Sequence, residues 1–238
     1  MTTRRAIIWD YDGTLGYREG GMWTATTLQV IREEDPGAEV AAEDVRARLQ
    51  AIFPWERPDE PHPHLSTPEA WWEAQVSLLA SVLRGMGYPR ARARRMGERI
   101  REVYLTPASW RLFPDTLSTL DALRARGWRH YVLSNHLPEL RGLVARLGLA
   151  ERLSGLVNSA EIGYEKPHPE AFRCALEMVG VVDVLWMVGD NPVADVAGAE
   201  AAGIPAILVR TAHEGVRYRA ADLTGVPAIV EASTSAPG

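Results

Sequence analysis

One cysteine, Cys174, stands in this 238-residue chain, so no internal disulfide can form. Its place in the helical pattern from Pro169 to Gly180 makes it a small packed hydrophobe rather than a reactive thiol. Long apolar runs are missing too. Met1-Thr2-Thr3-Arg4-Arg5 leads into only four apolar residues before Asp10, too few for a signal-peptide core, and no later stretch is long enough to span a bilayer. A cytoplasmic protein without a membrane partner is the expectation. Positive charge is in deficit, with 26 Lys and Arg against 31 Asp and Glu for a formal charge of −5, which argues against attraction to nucleic acid. The arginines from Arg90 to Arg101 are spread around a helix and diluted by Glu98 and Glu102, so they read as a solvated surface. Lysine is scarcest of all. It occurs once, at Lys166, while the other 25 basic residues are arginines.

What the chain does have is acid at the ends of apolar runs. Ala6-Ile7-Ile8-Trp9 leads straight into Asp10-Tyr11-Asp12-Gly13-Thr14-Leu15. A short buried strand thereby delivers two carboxylates to its C-terminal end, where open α/β sheets keep their chemistry. In extended chain the two acids point to one side, and Gly13 permits a sharp change of direction after them. Three more segments follow: Val132-Leu133-Ser134-Asn135, Glu165-Lys166-Pro167-His168-Pro169, and Val188-Gly189-Asp190-Asn191-Pro192-Val193-Ala194-Asp195. A compact ammonium suits a crowded phosphate and carboxylate site better than a planar guanidinium. That gives a reason for the one lysine to stand at position 166.

From about Gly21 to Tyr104 the pattern is helical, with breaks near Pro36-Gly37, Pro54 to Pro68 and Gly85 to Pro89. Its clearest element runs from Pro68 to Met86, where Trp72, Val76, Leu79, Leu83 and Met86 form one apolar stripe. Five tryptophans, Trp23, Trp55, Trp71, Trp72 and Trp110, crowd this region and its border and read mainly as packing. From Pro114 the sequence alternates: helix to Arg126, strand Trp128 to Leu133, helix Leu137 to Leu147, strand Gly155 to Val157, helix 169 to 180. Strand Val184 to Val188, helix Pro192 to Ala202, strand Ala206 to Val209 and a last short strand Ala228 to Val230 complete the series, before Ser233 to Gly238 fray. This predicts an α/β fold, a Rossmann-like, doubly wound, mainly parallel sheet with an inserted α-helical cap. Residues 1–16 and 106–238 form the core and 17–105 the cap, with Gly20-Gly21 and Leu105-Thr106-Pro107 as hinges. A parallel sheet would gather Asp10, Ser134 and Asp190 along one edge.

The four segments, in this order, resemble the four motifs of the haloacid dehalogenase (HAD) superfamily. The inserted helical cap resembles its haloacid dehalogenase and phosphoglycolate phosphatase branch. The resemblance implies an Mg²⁺-dependent hydrolase. Asp10 would be the nucleophile forming an aspartyl-phosphate, and Asp12 the acid that protonates the leaving group and then activates water. Ser134 and Asn135 would bind phosphoryl oxygens and Lys166 would balance charge. The metal would be held by Asp10, Asp190 and the backbone carbonyl of Asp12, with Asp195 as a further or outer-shell acid. Tyr17 and Arg18, with one or two cap tryptophans, are candidates to face the substrate.

Other readings fit less well. A dehalogenase of the family lacks the second acid at the position of Asp12, and a phosphonate hydrolase uses a cap lysine, which this cap does not contain. A phosphomutase shares the core motifs, and a non-catalytic phosphate-binding protein would be marked by loss of a motif acid or of Lys166. His62-Pro63-His64, flanked by Pro61 and without further His or Cys nearby, reads as a proline-stiffened cap loop rather than a zinc site. Asp10 to Gly13 fails as a calcium loop because the closing Glu is replaced by Gly21. The sequence therefore predicts a phosphatase acting on a small phosphorylated metabolite, as a monomer or homodimer.

Overall fold

A computed structural model describes residues 3–50 and 52–234. Its centre is a six-stranded sheet ordered β5-β4-β1-β6-β7-β8, built from β1 (Arg5–Trp9), β4 (Trp128–Ser134), β5 (Leu153–Asn158), β6 (Val184–Gly189), β7 (Ala206–Val209) and β8 (Tyr218–Ala220). Every neighbouring pair is parallel. Alternation along the strands sends Ile7, Trp9, Val132, Val188 and Ile207 to one face and Ala6, Ile8, Leu133, Met187 and Leu208 to the other. Because both faces are covered, the strands read as near-continuous apolar runs. The first face packs against α5 (Thr116–Ala125), α6 (Leu140–Arg146) and α10 (Val226–Thr234). The second packs against α8 (Pro169–Val179) and α9 (Gly198–Ala201), and α7 (Ser159–Ile162) is a single turn after β5.

Between β1 and β4 the chain leaves the core to build four cap helices, α1 (Trp23–Glu34), α2 (Ala42–Leu49), α3 (Pro68–Gly85) and α4 (Arg90–Tyr104). The longest, α3, starts where Thr67 Oγ1 accepts the Ala70 N–H at 3.3 Å and Pro68 occupies the first turn. It stops at Gly87, which sits at φ +97°. The cap interior is an aromatic ladder: Tyr104 stacks on Trp23 at 3.7 Å, Trp23 on Phe53 at 4.2 Å, and Phe53 on Trp55 at 4.8 Å.

Three features differ from the sequence reading. Ala228 to Val230 is helix, not strand, since Val226 and Val230, one helical turn apart, are both fully buried; the edge strand is β8 instead. The two crossings between core and cap are joined in an antiparallel ribbon, β2 (Gly16–Arg18) against β3 (Trp110–Leu112), elements too short to leave a periodic signal. The stretch from Pro192 to Ala197 is a wide π-helical turn before α9, because Val196 as well as Asp195 donates its N–H to Asn191 O. Of the fraying expected at Ser233 to Gly238, residues 235–238 lie outside the described residues, and the backbone of 233 and 234 is helical. Among the described residues no helix is long and apolar enough to cross a membrane.

His130 on β4 ties the sheet to its covering layer. Trp9 Nε1 donates to its Nδ1 at 3.1 Å, which leaves Nε2 to carry the proton toward Leu120 O at 3.0 Å. Burial pushes this imidazole down to about 4, against the pull of the Leu120 carbonyl. The unfolded chain takes up the proton near 6.5 and the folded one only near 4, so this residue costs stability as pH falls through that window and nothing above it. The stability advantage of wild type over His130→Gln in urea unfolding is expected to shrink by roughly 2 kcal/mol between pH 7.5 and pH 5. An advantage that is independent of pH would contradict a buried neutral His130.

Candidate active site

The strand order reverses around β1, whose neighbours β4 and β6 lead the chain in opposite directions, and crevices form at such switch points. Three strands end there together. Asp10 follows β1, Ser134 closes β4 and Asp190 follows β6. Lys166, on the loop before α8, reaches the same place. Its buried ammonium donates to Asp10 Oδ1 at 2.7 Å and to Asp195 Oδ1 at 2.6 Å. Ser134 Oγ also donates to Asp10 Oδ1, at 2.9 Å, and Thr14 Oγ1 to Asp190 Oδ1 at 3.4 Å.

The backbone makes these approaches possible. Gly13 sits at φ +78°, and a Cβ there would overlap the Asp190 carboxylate. A Cβ at Gly189 would overlap that of Asp195. The wide turn after Asn191 aims Asp195 back at Lys166, while the Asn191 N–H donates to its second oxygen at 3.0 Å. Asn135 makes a reciprocal pair with the Lys166 backbone, accepting its N–H at 2.7 Å and donating to its carbonyl at 2.9 Å. This fixes the root of the lysine side chain.

Electrostatically the site is acidic beyond what one ammonium can balance. Burial opposes the charge on Lys166, yet Asp10 and Asp195 outweigh it and raise the proton affinity. Asp12 is held well above the carboxylate range by burial and then by the charges of Asp10 and Asp190. The same causes, burial followed by Asp10 and Asp195, push Asp190 up to about 7. Asp195 is raised as well, mainly by burial. Oxygens of Asp10, Asp190 and Asp195 lie within 4.8 Å of one another, and Asp12 Oδ1 is enclosed without a hydrogen-bond partner. Such hard oxygens, with carboxylates that crowding forces toward protonation, fit a divalent cation.

Of the residues proposed from sequence, Asp10, Asp12, Asn135, Lys166, Asp190 and Asp195 line one cavity of about 490 Å³ between cap and core, and Ser134 lies directly beneath it, bonded to Asp10. Tyr17 and Arg18 lie elsewhere. Tyr17 is exposed and packs on Phe113 at 4.8 Å. Arg18 is buried and donates to the carbonyls of Gly21, Val103 and Tyr104, so its charge knits the two cap crossings together. His64 is exposed while His62 is buried with Nε2 3.0 Å from Glu165 Oε1, and the two histidines do not converge on a metal site. Two neighbours escaped the sequence reading. His136 Nε2 lies 3.6 Å from Asp12 Oδ2, and burial pushes its imidazole down to about 4. Thr14 is the other; a lone hydroxyl after an acidic turn carries no periodic or spacing signal.

A family model of haloacid dehalogenase-like hydrolases matches residues 4–203. The chain belongs to this family. It is 32% identical over 200 residues to a phosphoserine phosphatase of Thermus thermophilus, covering 74% of this chain and 79% of that protein. It is 41% identical over 101 residues to a phosphoglycolate phosphatase of Rhodospirillum rubrum, covering 41% of each. A third relative, the human haloacid dehalogenase-like hydrolase domain-containing protein 3, is 32% identical over 61% of this chain and 58% of its own length. Solved structures agree in fold. A HAD hydrolase of Bacillus subtilis bound to magnesium superposes with a TM-score of 0.71 at 16% identity, covering 97% of this chain and 100% of that one. The L-2-haloacid dehalogenase of Xanthobacter autotrophicus superposes with a TM-score of 0.66 at 19% identity, covering 96% and 99%.

Protons and a cation compete for these carboxylates. Because Asp190 takes up its proton near 7, calorimetric titration with MgCl₂ is expected to give an affinity about tenfold weaker at pH 6 than at pH 8, with proton release on binding. An affinity unchanged across this range would remove Asp190 from the cation site.

Proposed function

We propose that this hydrolase is an Mg²⁺-dependent phosphatase that cleaves small phosphate monoesters through an aspartyl-phosphate on Asp10. The observation that carries the reading is Asp12. A dehalogenase has no use for a second acid beside the nucleophile, whereas phosphoryl transfer to a carboxylate must protonate a departing alkoxide. Asp12 stands two residues after Asp10, opens on the same cavity, and is held in its protonated form by burial and neighbouring charge. The names of relatives, among them phosphoserine, phosphoglycolate and glyceraldehyde 3-phosphate phosphatases, support the same class.

In this mechanism Asp10, oriented through one oxygen by Ser134 and Lys166, attacks phosphorus with the other. Asp12 gives its proton to the leaving oxygen, and the resulting carboxylate then takes one from the water that hydrolyses the acyl phosphate. Lys166 spends two of its three N–H donors on Asp10 and Asp195, which leaves the third for a phosphoryl oxygen. Asp10, Asp190 and the Asp12 carbonyl, with Asp195 behind them, would hold a divalent cation, which would supply charge neutralisation for the phosphoryl group. Residues 17–105 act as the cap that selects the alcohol.

Asp10→Asn is expected to lower Mg²⁺-dependent phosphate release on the order of 10⁴-fold or more with the fold intact by circular dichroism. Turnover that survives in this variant would rule out the covalent route. Lys166→Arg keeps the charge but brings a planar fork into a fully enclosed position, and a loss on the order of 10²-fold in kcat is expected. An arginine variant of wild-type activity would show that charge alone suffices there.

A further inference from the structure

The half of the cavity contributed by the cap is formed by Met22, Trp23, Trp55, Glu56, Pro58 and Tyr104. Phosphate chemistry occupies the opposite, core half, so this wall is what the alcohol portion of an ester meets. It is mainly apolar, and Glu56, an exposed residue at its margin, is the one of the six that carries charge. Trp23 is held between Tyr104, on which it stacks, and the tilted ring of Phe53. No cation among the described residues serves this wall. Arg18 is committed to three backbone carbonyls, and Arg57 pairs with Glu60 at 2.7 Å. His136 lies on the core side, with Nε2 3.6 Å from Asp12 Oδ2, and the Lys166 ammonium belongs to the phosphoryl end.

The position of this wall is fixed. The loop that carries Trp55, Glu56 and Pro58 continues to His62, whose backbone N–H donates to Gly163 O at 2.8 Å and whose Nε2 lies 3.0 Å from the buried Glu165 Oε1. Gly163 passes so close to Pro63 that a Cβ there would collide with the Pro63 backbone. A second tie runs from Trp72 Nε1 to Glu139 Oε1 at 2.8 Å. With the cap tied to the core at these points, the cap side of the cavity offers a second anion no cationic partner and one acidic neighbour.

We propose that the alcohol released by this enzyme carries no anionic group: the substrate is a phosphate monoester of an uncharged alcohol with an apolar portion, and carboxylated or bisphosphorylated esters are rejected. The proposal rests on the phosphatase reading above. Bringing a carboxylate or second phosphate against this mainly apolar wall costs hydration without a compensating cation, and Glu56 adds like charge. An uncharged alcohol loses little hydration and gains contact with the aromatic side chains.

Glycerol 3-phosphate and 3-phosphoglycerate form a matched pair, alike in skeleton and differing in a hydroxymethyl group against a carboxylate. Two readouts apply: kcat/KM of the wild type with Mg²⁺, and calorimetric affinity for Asp10→Asn with Mg²⁺. In both, glycerol 3-phosphate is expected to be favoured at least about tenfold. Glu56→Arg should narrow or invert that ratio. Preference for 3-phosphoglycerate in both readouts, or a ratio near one that Glu56→Arg leaves unmoved, overturns the inference and leaves the phosphatase standing. Absence of turnover with either ester, while the binding preference holds, overturns the phosphatase and keeps the inference about the wall. Failure of both esters to bind overturns both.

Discussion

The ammonium of Lys166 between Asp10 and Asp195 is the contact on which the rest of the site depends. Each partner is buried, and a buried charge without its counter-ion costs several kcal/mol, so removing any one of the three leaves the others untenable in their charged forms. Asp10 comes from the end of β1, Asp195 from the wide turn after β6, and the lysine from the loop before α8, far apart in sequence. Their meeting therefore requires that the whole parallel sheet be in register. The Asn135 carboxamide, bonded both ways to the Lys166 backbone, ties β4 to the lysine loop and turns a flexible side chain into a positioned one.

That dependence explains which local irregularities the core tolerates. The left-handed backbone at Gly13 and the wide turn after Asn191 depart from regular structure, and these, like the bare Cα of Gly189 at the end of β6, stand where a carboxylate must come close. A regular helix beginning at Pro192 would carry Asp195 around to another face. Cost in backbone regularity is thus concentrated at one sheet edge, while the interior strands stay apolar on both sides.

Much of this was legible in the sequence because it is encoded locally. Buried strands appear as short apolar runs, their ends as acids or hydroxyls, and the π-helical turn at least as a proline-started helical segment. The gathering of Asp10, Ser134 and Asp190 followed from strand topology, while the resemblance to the HAD motifs placed Lys166 and Asp195 with them. What escaped depends on tertiary contact. Arg18 looks like a substrate-facing cation until its partners prove to be the carbonyls of Gly21, Val103 and Tyr104, residues brought beside it only by the three-residue ribbon. His62 reads as part of a proline-stiffened cap loop, and nothing local announces its partner Glu165, 103 residues away. Val226 and Val230 read equally well as strand or helix, since a run this short has no decisive period.

The charge balance of the site also separates the work of core and cap. Four aspartates crowd one ammonium in the core; burial first, and neighbouring carboxylates after it, raise the proton affinities of Asp12, Asp190 and Asp195, and deprotonating them together leaves the core half in surplus negative charge. A cation and a phosphoryl group relieve it together, because the first is attracted by the carboxylates and the second by the cation and Lys166. Anything anionic beyond the phosphoryl group would re-create the surplus at the cap, where Glu56 is acidic and, among the described residues, no guanidinium lines the cavity. An enzyme that rejects charged alcohols needs no dedicated device for doing so. The acidic core and an apolar, cation-free cap wall are sufficient, provided that the His62 to Glu165 and Trp72 to Glu139 contacts keep that wall in place.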